Sequence, residues 1–436
     1  PCLSDSTNLT LFLSVPGGIL GRTPSRDAVV GGRLVISPWG LDPMPYYRRN
    51  VYILSAAVCL AALSWNQVIP FLPLFMKQMG VRESMLPYWI GIVFAAQSFA
   101  SMVFQPFWGR LADSYGRKPM ILRAGLCLSL VYFGMSICRT PWQLALLRFL
   151  NGALTGFIPG SYALIATNTP EEIAPQYVAT AQAASNAGLV AGPALGGFLA
   201  SIMGYRGSMQ IAGAAVLLST LVVLWFVEER NRVQPEQSTS LLNDFRTALS
   251  SPVQVSILFA VMLSWVFGSA ISPYLTLHLN WLSGESPEWV AGLIFALPAV
   301  AFVLTARRWT GLGERWGYER SILIGLIGAG LGSLVLAFVR GIWTFAAVYL
   351  VTGIFLSALS PSVSGLTISR VDESFRGRAY GIQQSAGTLG GLLAPLAAAR
   401  IGAAFGIPSI FVFVGVVFLA GCAVFKVLVG RWPGIE

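Results

Sequence analysis

Apolar runs of about 20 residues follow one another along this chain, parted by short polar turns, and a helix needs about that length to cross the hydrocarbon core of a bilayer. On that rule the pattern predicts twelve spans, at 51–75, 88–109, 119–138, 142–166, 177–203, 207–227, 253–279, 288–309, 320–339, 342–367, 378–403 and 408–428. Between the two sixes lies the longest internal polar stretch, 228–251, which opens with Glu228-Glu229-Arg230-Asn231-Arg232 and reads as a cytosolic linker. It divides the chain into a first six-helix half, 48–227, and a second, 252–430. Residues 1–47 mix Gly, Pro, Ser and Arg with short apolar patches; the run Leu9 to Leu20 is too short to span and is interrupted by Pro16-Gly17-Gly18. That segment is expected to be a disordered cytosolic extension.

The two halves repeat each other. Trp108-Gly109-Arg110-Leu111-Ala112-Asp113-Ser114-Tyr115-Gly116 aligns with Trp309-Thr310-Gly311-Leu312-Gly313-Glu314-Arg315-Trp316-Gly317, 201 residues later, and at the same offset Gly152 meets Gly353. At an offset of 202, Gln182 meets Gln384, Gly188 meets Gly390 and Pro193 meets Pro395. A constant offset with matched turns and helix breaks indicates two homologous halves, one of the plans on which transporters are built.

Composition agrees with the pattern. Charged residues make up 11% of the chain and hydrophobic ones 55%; a soluble domain carries about 25% charged residues, so this chain cannot cover a water-facing surface. The net charge of +10 comes from loops beside apolar runs, and so points to membrane topology and lipid headgroups, with no nucleic-acid partner. With the N-terminus inside, the inner segments hold 21 of the 28 basic residues and the outer loops only Lys77, Arg82, Arg139, Arg206, Arg340 and Arg400. That asymmetry places both termini in the cytoplasm. Cys59, Cys127, Cys138 and Cys422 lie in or at the ends of spans, lack metal spacing, and read as packed thiols. One histidine and no carboxylate pair within a span argue against an intramembrane enzyme, and the absence of a Walker-type loop argues against a built-in ATPase. No cofactor and no metal are expected.

Four motifs sharpen the reading. Gly109-x-Leu111-x-Asp113-x-x-Gly116-Arg117-Lys118 links spans 2 and 3: glycines for a tight turn and close helix approach, an anion at the membrane edge, and basic residues for headgroups. Span 5 carries Gly188-x-x-x-Gly192-Pro193-x-x-Gly196-Gly197, a smooth face with a proline that removes one helix hydrogen bond. Span 1 holds Pro70 and Pro73, and span 4 holds Leu147-Arg148-Phe149-Leu150-Asn151-Gly152. With the repeat, these stretches resemble motif A, motif C, the span 1 prolines and motif B of the major facilitator superfamily. Within it they are similar to the twelve-helix drug:proton antiporter family and its MdtG-type bacterial multidrug exporters. Ser114 and Ala179 depart from the pattern, where Arg and Gly are usual.

The resemblance implies an all-α integral membrane fold, with two pseudo-symmetric six-helix halves around a central cavity. It further implies proton-coupled efflux of drugs or amphiphilic small molecules by alternating access, in a bacterial inner membrane, by a monomer whose partners are its substrate, protons and lipid. A solute:proton symporter for a sugar or organic acid is the alternative. It implies too that Asp113 docks against span 11, near Arg376 and Arg378, and that Arg148 takes part in proton transfer.

All 18 acids fall in tails, loops or span ends, whereas proton antiport usually uses a carboxylate within the membrane. Arg148, Asp113 and His278 are therefore the proton-coupling candidates, against a plainer reading of Arg148 as a snorkelling side chain and of His278 as an interfacial one. The midplane cavity is expected to draw on Asn66, Gln67, Asn151, Thr155, Trp265, Tyr274, Tyr349 and Phe355 from spans 1, 4, 7 and 10, and on Gln182, Asn186, Gln383 and Gln384 from spans 5 and 11. Such an aromatic, amide-bearing lining suits amphiphilic or anionic compounds better than strongly cationic ones.

Overall fold

The computed structural model describes residues 45–230, 241–284 and 287–432. The side chains of Asp113, Leu241, Leu242, Asn243 and Ser374 lie outside that description, as does the extension expected over 1–47 up to Pro45. Span 1 is built from α1 (Tyr46–Val68), a 3-10 turn (Ile69–Phe71) and α2 (Leu72–Gln78). Span 2 is α3 (Leu86–Tyr115) and span 3 is α4 (Arg117–Ile137). Span 4 comes in two pieces, α5 (Pro141–Ala153) and α6 (Phe157–Asn168), and spans 5 and 6 run together as α7 (Ala174–Phe226). The linker region carries a short helix, α8 (Leu241–Ser250). The second half follows with α9 (Pro252–Ser283), α10 (Glu288–Trp316) and α11 (Tyr318–Phe338). Its span 10 is again split, into α12 (Ile342–Leu356) and α13 (Leu359–Arg370), before α14 (Glu373–Phe405) and α15 (Pro408–Val429). No strand occurs among the described residues.

The 53 residues of α7 would reach about 80 Å if straight, against a hydrocarbon core of about 30 Å. The helix turns back at Gly204, whose φ of 69° belongs to the left-handed region that a side chain disfavours. Counted as one helix it gives eleven candidate spans; divided there it gives the expected twelve.

The repeat is visible as geometry. The Trp108 indole N–H donates to the Ala153 carbonyl at 2.6 Å, and 201 residues on Trp309 donates to Ile354 at 2.8 Å. Gly116 and Gly317 turn the chain with φ of 100° and 94°. Spans 4 and 10 break at equivalent places, each just before a helix whose third residue is a proline, Pro159 or Pro361. A proline there cannot donate to, and clashes with, the carbonyl four residues before it. The freed Thr155 carbonyl accepts instead from the Arg123 guanidinium at 3.3 Å.

The ends of the bundle differ. The end with the turns at Gly116 and Gly317 is called the basic end below. At the far end the halves are joined by a continuous apolar core that takes in Phe75, Met76 and Ile90 from one half and Ile271, Leu275 and Ile294 from the other. There the Tyr274 hydroxyl donates to the Pro87 carbonyl at 3.0 Å and the Thr276 hydroxyl to Pro70 at 2.8 Å. Nearer the basic end, a Cβ placed on Gly109, Gly311, Gly377 or Gly381 would meet nothing within 4 Å.

Candidate functional site

In the second half, α9, α13 and α14, with Leu356 at the end of α12, line two adjoining recesses of about 420 and 170 Å³ that share Ser264, Trp265 and Ser360. Gln383 and Gln384 of α14, with Ser364 and Tyr380, line the smaller one. The Trp265 ring is seated against α14 where Gly387 and Gly391 leave room for it; a Cβ on Gly387 would come 2.6 Å from the indole nitrogen. Gln383 is buried and its amide donates to the Thr367 hydroxyl at 2.9 Å, which fixes its orientation. The lining carries no charged side chain, so it offers hydrogen bonds and an aromatic face to a ligand, the usual make-up of a small-molecule site.

In the first half, apart from these recesses' lining, Arg148 is 3% exposed on α5. Its guanidinium lies over Phe94 at 5.0 Å and Trp65 at 5.9 Å, and no carboxylate pairs with it among the described residues. Its Nε and both amide atoms of the neighbouring Asn151 are buried without a hydrogen-bond partner. A lone buried cation is costly, which is why such residues in membrane proteins face a partner, water or a ligand.

The glycine face of α7 packs against two other helices. Gly188, Gly192 and Gly196 lie on the backbone of α1; a Cβ on Gly192 would sit 2.8 Å from the Leu63 carbonyl, and one on Gly196 2.6 Å from the Gln67 Cα. Gly197 faces the other half: a Cβ there would come 2.9 Å from the Trp289 Cα of α10. Gly292 of α10 answers it, with the Pro193 carbonyl carbon 3.1 Å from its would-be Cβ.

A sequence model of the Major Facilitator Superfamily matches residues 54–284 and 253–433. The chain belongs to the Major Facilitator Superfamily. It is 33% identical over 369 residues to "Multidrug resistance protein MdtG" of Citrobacter koseri, covering 84% of this chain and 91% of the relative. It is 32% identical over 371 residues to the protein of the same name in Dickeya zeae, covering 84% and 90%. Among solved structures it resembles, at a TM-score of 0.77 and 14% identity, a bacterial homologue of the human lysosomal transporter Spinster in an inward-facing, occupied conformation, with 90% of this chain and all of that one covered. The nucleoside transporter NupG matches at a TM-score of 0.74 and 13% identity, with 87% and 99% covered. The chain is thus a multi-pass membrane protein with the superfamily's fold.

In superfamily terms, the motif A turn is held by the start of the linker and by the end of span 6. The Glu229 carboxylate accepts from the backbone N–H of Arg117 at 2.7 Å and of Lys118 at 3.0 Å, so it caps the start of α4 where the helix dipole favours an anion. The Lys118 ammonium donates to the Leu224 carbonyl at 2.9 Å. Leu111 is half-buried and Gly109 touches nothing; the side chain of Asp113 falls outside the described residues. Arg376 donates to the carbonyls of Val371 and Ile368, and Arg378 pairs with Asp244 at 3.0 Å.

The other cavity residues scatter. Asn66 donates to Ala62 of its own helix, and Gln67 is buried with its amide on the Ser208 carbonyl. Tyr274 is buried at the far-end junction; Tyr349 is buried between Phe267 and Phe345. Phe355 lies 6.5 Å from Trp309, Thr155 serves Arg123, and Gln182 and Asn186 are exposed. His278 is fully buried in an aromatic box of Phe411, Phe345 and Trp281, with both ring nitrogens unpartnered. Ser264, Ser360, Ser364 and Tyr380 are polar lining residues that sequence reasoning passed over; for the serines, their places beside Trp265 and after the span 10 break were the signal.

Proposed function

We propose that the chain is a proton-coupled exporter of drugs or amphiphilic small molecules that works by alternating access in a bacterial inner membrane. The observation that carries this reading is the far-end junction, where Tyr274 and Thr276 of one half bond to Pro87 and Pro70 of the other, together with the uncharged recesses lined by α9, α13 and α14. The multidrug resistance relatives and the close glycine packing of motif C support export. In this proposal both ends of the polypeptide face the cytoplasm, the basic end is cytoplasmic, and the chain acts as a monomer. The groove at Trp265, Gln383 and Gln384 meets the substrate; Asp113 belongs to the cytoplasmic gate and, with Arg148 and His278, is a candidate for sensing protons. A lone buried cation and no acid within the spans favour amphiphilic or anionic cargo over dications.

Proteoliposome transport under an imposed proton gradient tests the reading. Accumulation of substrate against the direction of proton flow is the expected result, and movement with the protons overturns it. Efflux dominated by a dication such as methyl viologen would remove the assignment of cargo class. For the gate, unchanged transport and unchanged state distribution in Asp113→Asn would dismiss its role.

A further inference from the structure

The offset of 201 residues that relates the halves pairs Arg148 with Tyr349 and Asn151 with Thr352. In the second half both positions are neutral and settled: Tyr349 stacks on Phe267 and Phe345, and the Thr352 hydroxyl donates to the Val348 carbonyl at 2.7 Å. The first half puts a cation and an amide in their place. Arg148 and Asn151 stand three residues apart on α5, so their side chains share a face. Both are buried, and the Arg148 Nε and both Asn151 amide atoms have no hydrogen-bond partner. Trp65 and Phe94 lie against the guanidinium as aromatic walls. Among the described residues, Tyr132 of α4, an uncharged phenol, is the one titratable group that acts on Arg148 electrostatically.

We propose that a small monovalent inorganic anion of the chloride class binds beside Arg148 and Asn151, and supplies the counter-charge that no carboxylate provides there. Three features carry the assignment. Polar atoms buried without a partner mark the place of a water or an ion, and here three such atoms belong to two side chains on one helix face. A water satisfies the amide but leaves the guanidinium charge uncompensated, which is the costly part of burying it. The free donors, the Arg148 Nε–H and the Asn151 amide N–H groups, are those an anion takes. Burial sets the size: with Arg148 only 3% exposed, an organic anion or a lipid headgroup cannot reach it, whereas a monatomic ion needs little more than the room of one water, about 30 Å³. The second half needs no such ion, because Tyr349 carries no charge. The inference stands apart from the direction of transport and from the cargo.

The test is thermal unfolding of the full chain in nanodiscs of phosphatidylcholine, which offers no anionic headgroup, with sodium chloride exchanged for sodium gluconate at constant ionic strength. The wild-type melting temperature should rise and saturate with chloride, because an ion that binds only the folded state stabilises it by mass action. Bromide should act in the same way. Arg148→Met should lose the saturable component and keep only a linear salt response. Asn151→Asp builds a carboxylate beside the guanidinium, and should lower the apparent chloride affinity at least about tenfold. A linear response in the wild type, an equal response in Arg148→Met, or an undiminished affinity in Asn151→Asp overturns the proposal. So does equal stabilisation by benzoate, which would assign the site to organic anions. Wild-type crystals soaked in bromide give a reading that needs no variant: an anomalous peak in contact with Arg148 and Asn151 is expected, and its absence there overturns the proposal. Both readouts report binding, so they are decided whether or not the chain proves to export.

Discussion

Gly197→Ala is the most informative single change. A Cβ at position 197 would come 2.9 Å from the Trp289 Cα and closer still to the Glu288 carbonyl oxygen, where ordinary contact begins near 3.4 Å. Neither neighbour is a flexible side-chain tip, so α7 and α10 must move apart by several tenths of an ångström. Overpacking of this kind costs about 1–3 kcal/mol. The clash exists only while the far end is closed, because α7 and α10 belong to different halves. The helical preference of Ala over Gly, about 0.5–1 kcal/mol, is the same in both states and cancels. The closed-far-end state should therefore lose about 5–150-fold in population to the alternative. Pulsed EPR between spin labels at Tyr115→Cys and Trp316→Cys, exposed positions at the basic ends of α3 and α10, reads the shift. With the native cysteines replaced, Gly197→Ala should enlarge the short-distance population, as the basic end closes. Gly196→Ala is the control: its Cβ would strike the Gln67 backbone within the same half, so it should lower the melting temperature without moving the distribution. An unchanged distribution in Gly197→Ala, or the same shift in Gly196→Ala, would refute the reasoning.

Three further outcomes follow from the geometry. Arg148→Met replaces an unpaired buried cation with an apolar side chain; thermal unfolding should show a gain of about 1–4 kcal/mol while substrate transport falls sharply. Glu229→Ala removes the cap on α4 and should cost about 1 kcal/mol, read as a lower melting temperature that Gly317→Ala, at the left-handed turn of the other half, does not mimic in its local hydrogen-exchange pattern. At the linker junction, hydrogen bonds from Arg230 and then Arg49 hold the Glu228 carboxylate below its ordinary range. A depressed carboxylate stabilises the folded junction fully above its unfolded value of about 4.3 and loses that contribution as pH falls through the lower folded value. Protection factors around Asn50 and Glu228, which remove the intrinsic pH dependence of amide exchange, should fall over that acid window in the wild type and stay flat with pH in Glu228→Gln.

Much of the architecture was legible because the membrane imposes one length scale and the repeat imposes a second. Twelve apolar runs and a 201-residue offset led to the observed halves, and the offset reappears in the bonds of Trp108 and Trp309. The breaks in spans 4 and 10 escaped a reading by hydropathy, because Thr155 and Ser357 interrupt neither run; Pro159 and Pro361 held the signal. The helix α8 was hidden in a linker read as polar: ten residues are too few to span, and only the alternation of Phe245, Ala248 and Leu249 marks a face. The motif C glycines were read as packing surfaces, and they are, though which partner each meets, α1 or α10, is a matter of helix rotation that spacing cannot supply. Glu229 could not be tied to the turn at Gly116, since 112 residues separate Arg117 from its acceptor. The amides of Gln67 and Gln383 illustrate the same limit from inside the bundle, where a polar residue on a span can face a neighbour's backbone or an open groove.

The buried bonds that close the far end, from Tyr274 to Pro87 and from Thr276 to Pro70, join neutral hydroxyls to backbone carbonyls. Making and breaking them moves no net charge along the membrane normal. An elementary charge carried through the full potential is worth about 2.3 kcal/mol per 100 mV, and none of that energy couples to these two bonds; a far-end contact that does involve a charge is the Tyr205 hydroxyl, which donates across the halves to the Glu288 carboxylate at 3.3 Å. Salt likewise has no ion pair to screen in those two bonds. In the proposed cycle, a membrane potential acts elsewhere than on these two bonds, and Arg148 is a buried charge on which it can act.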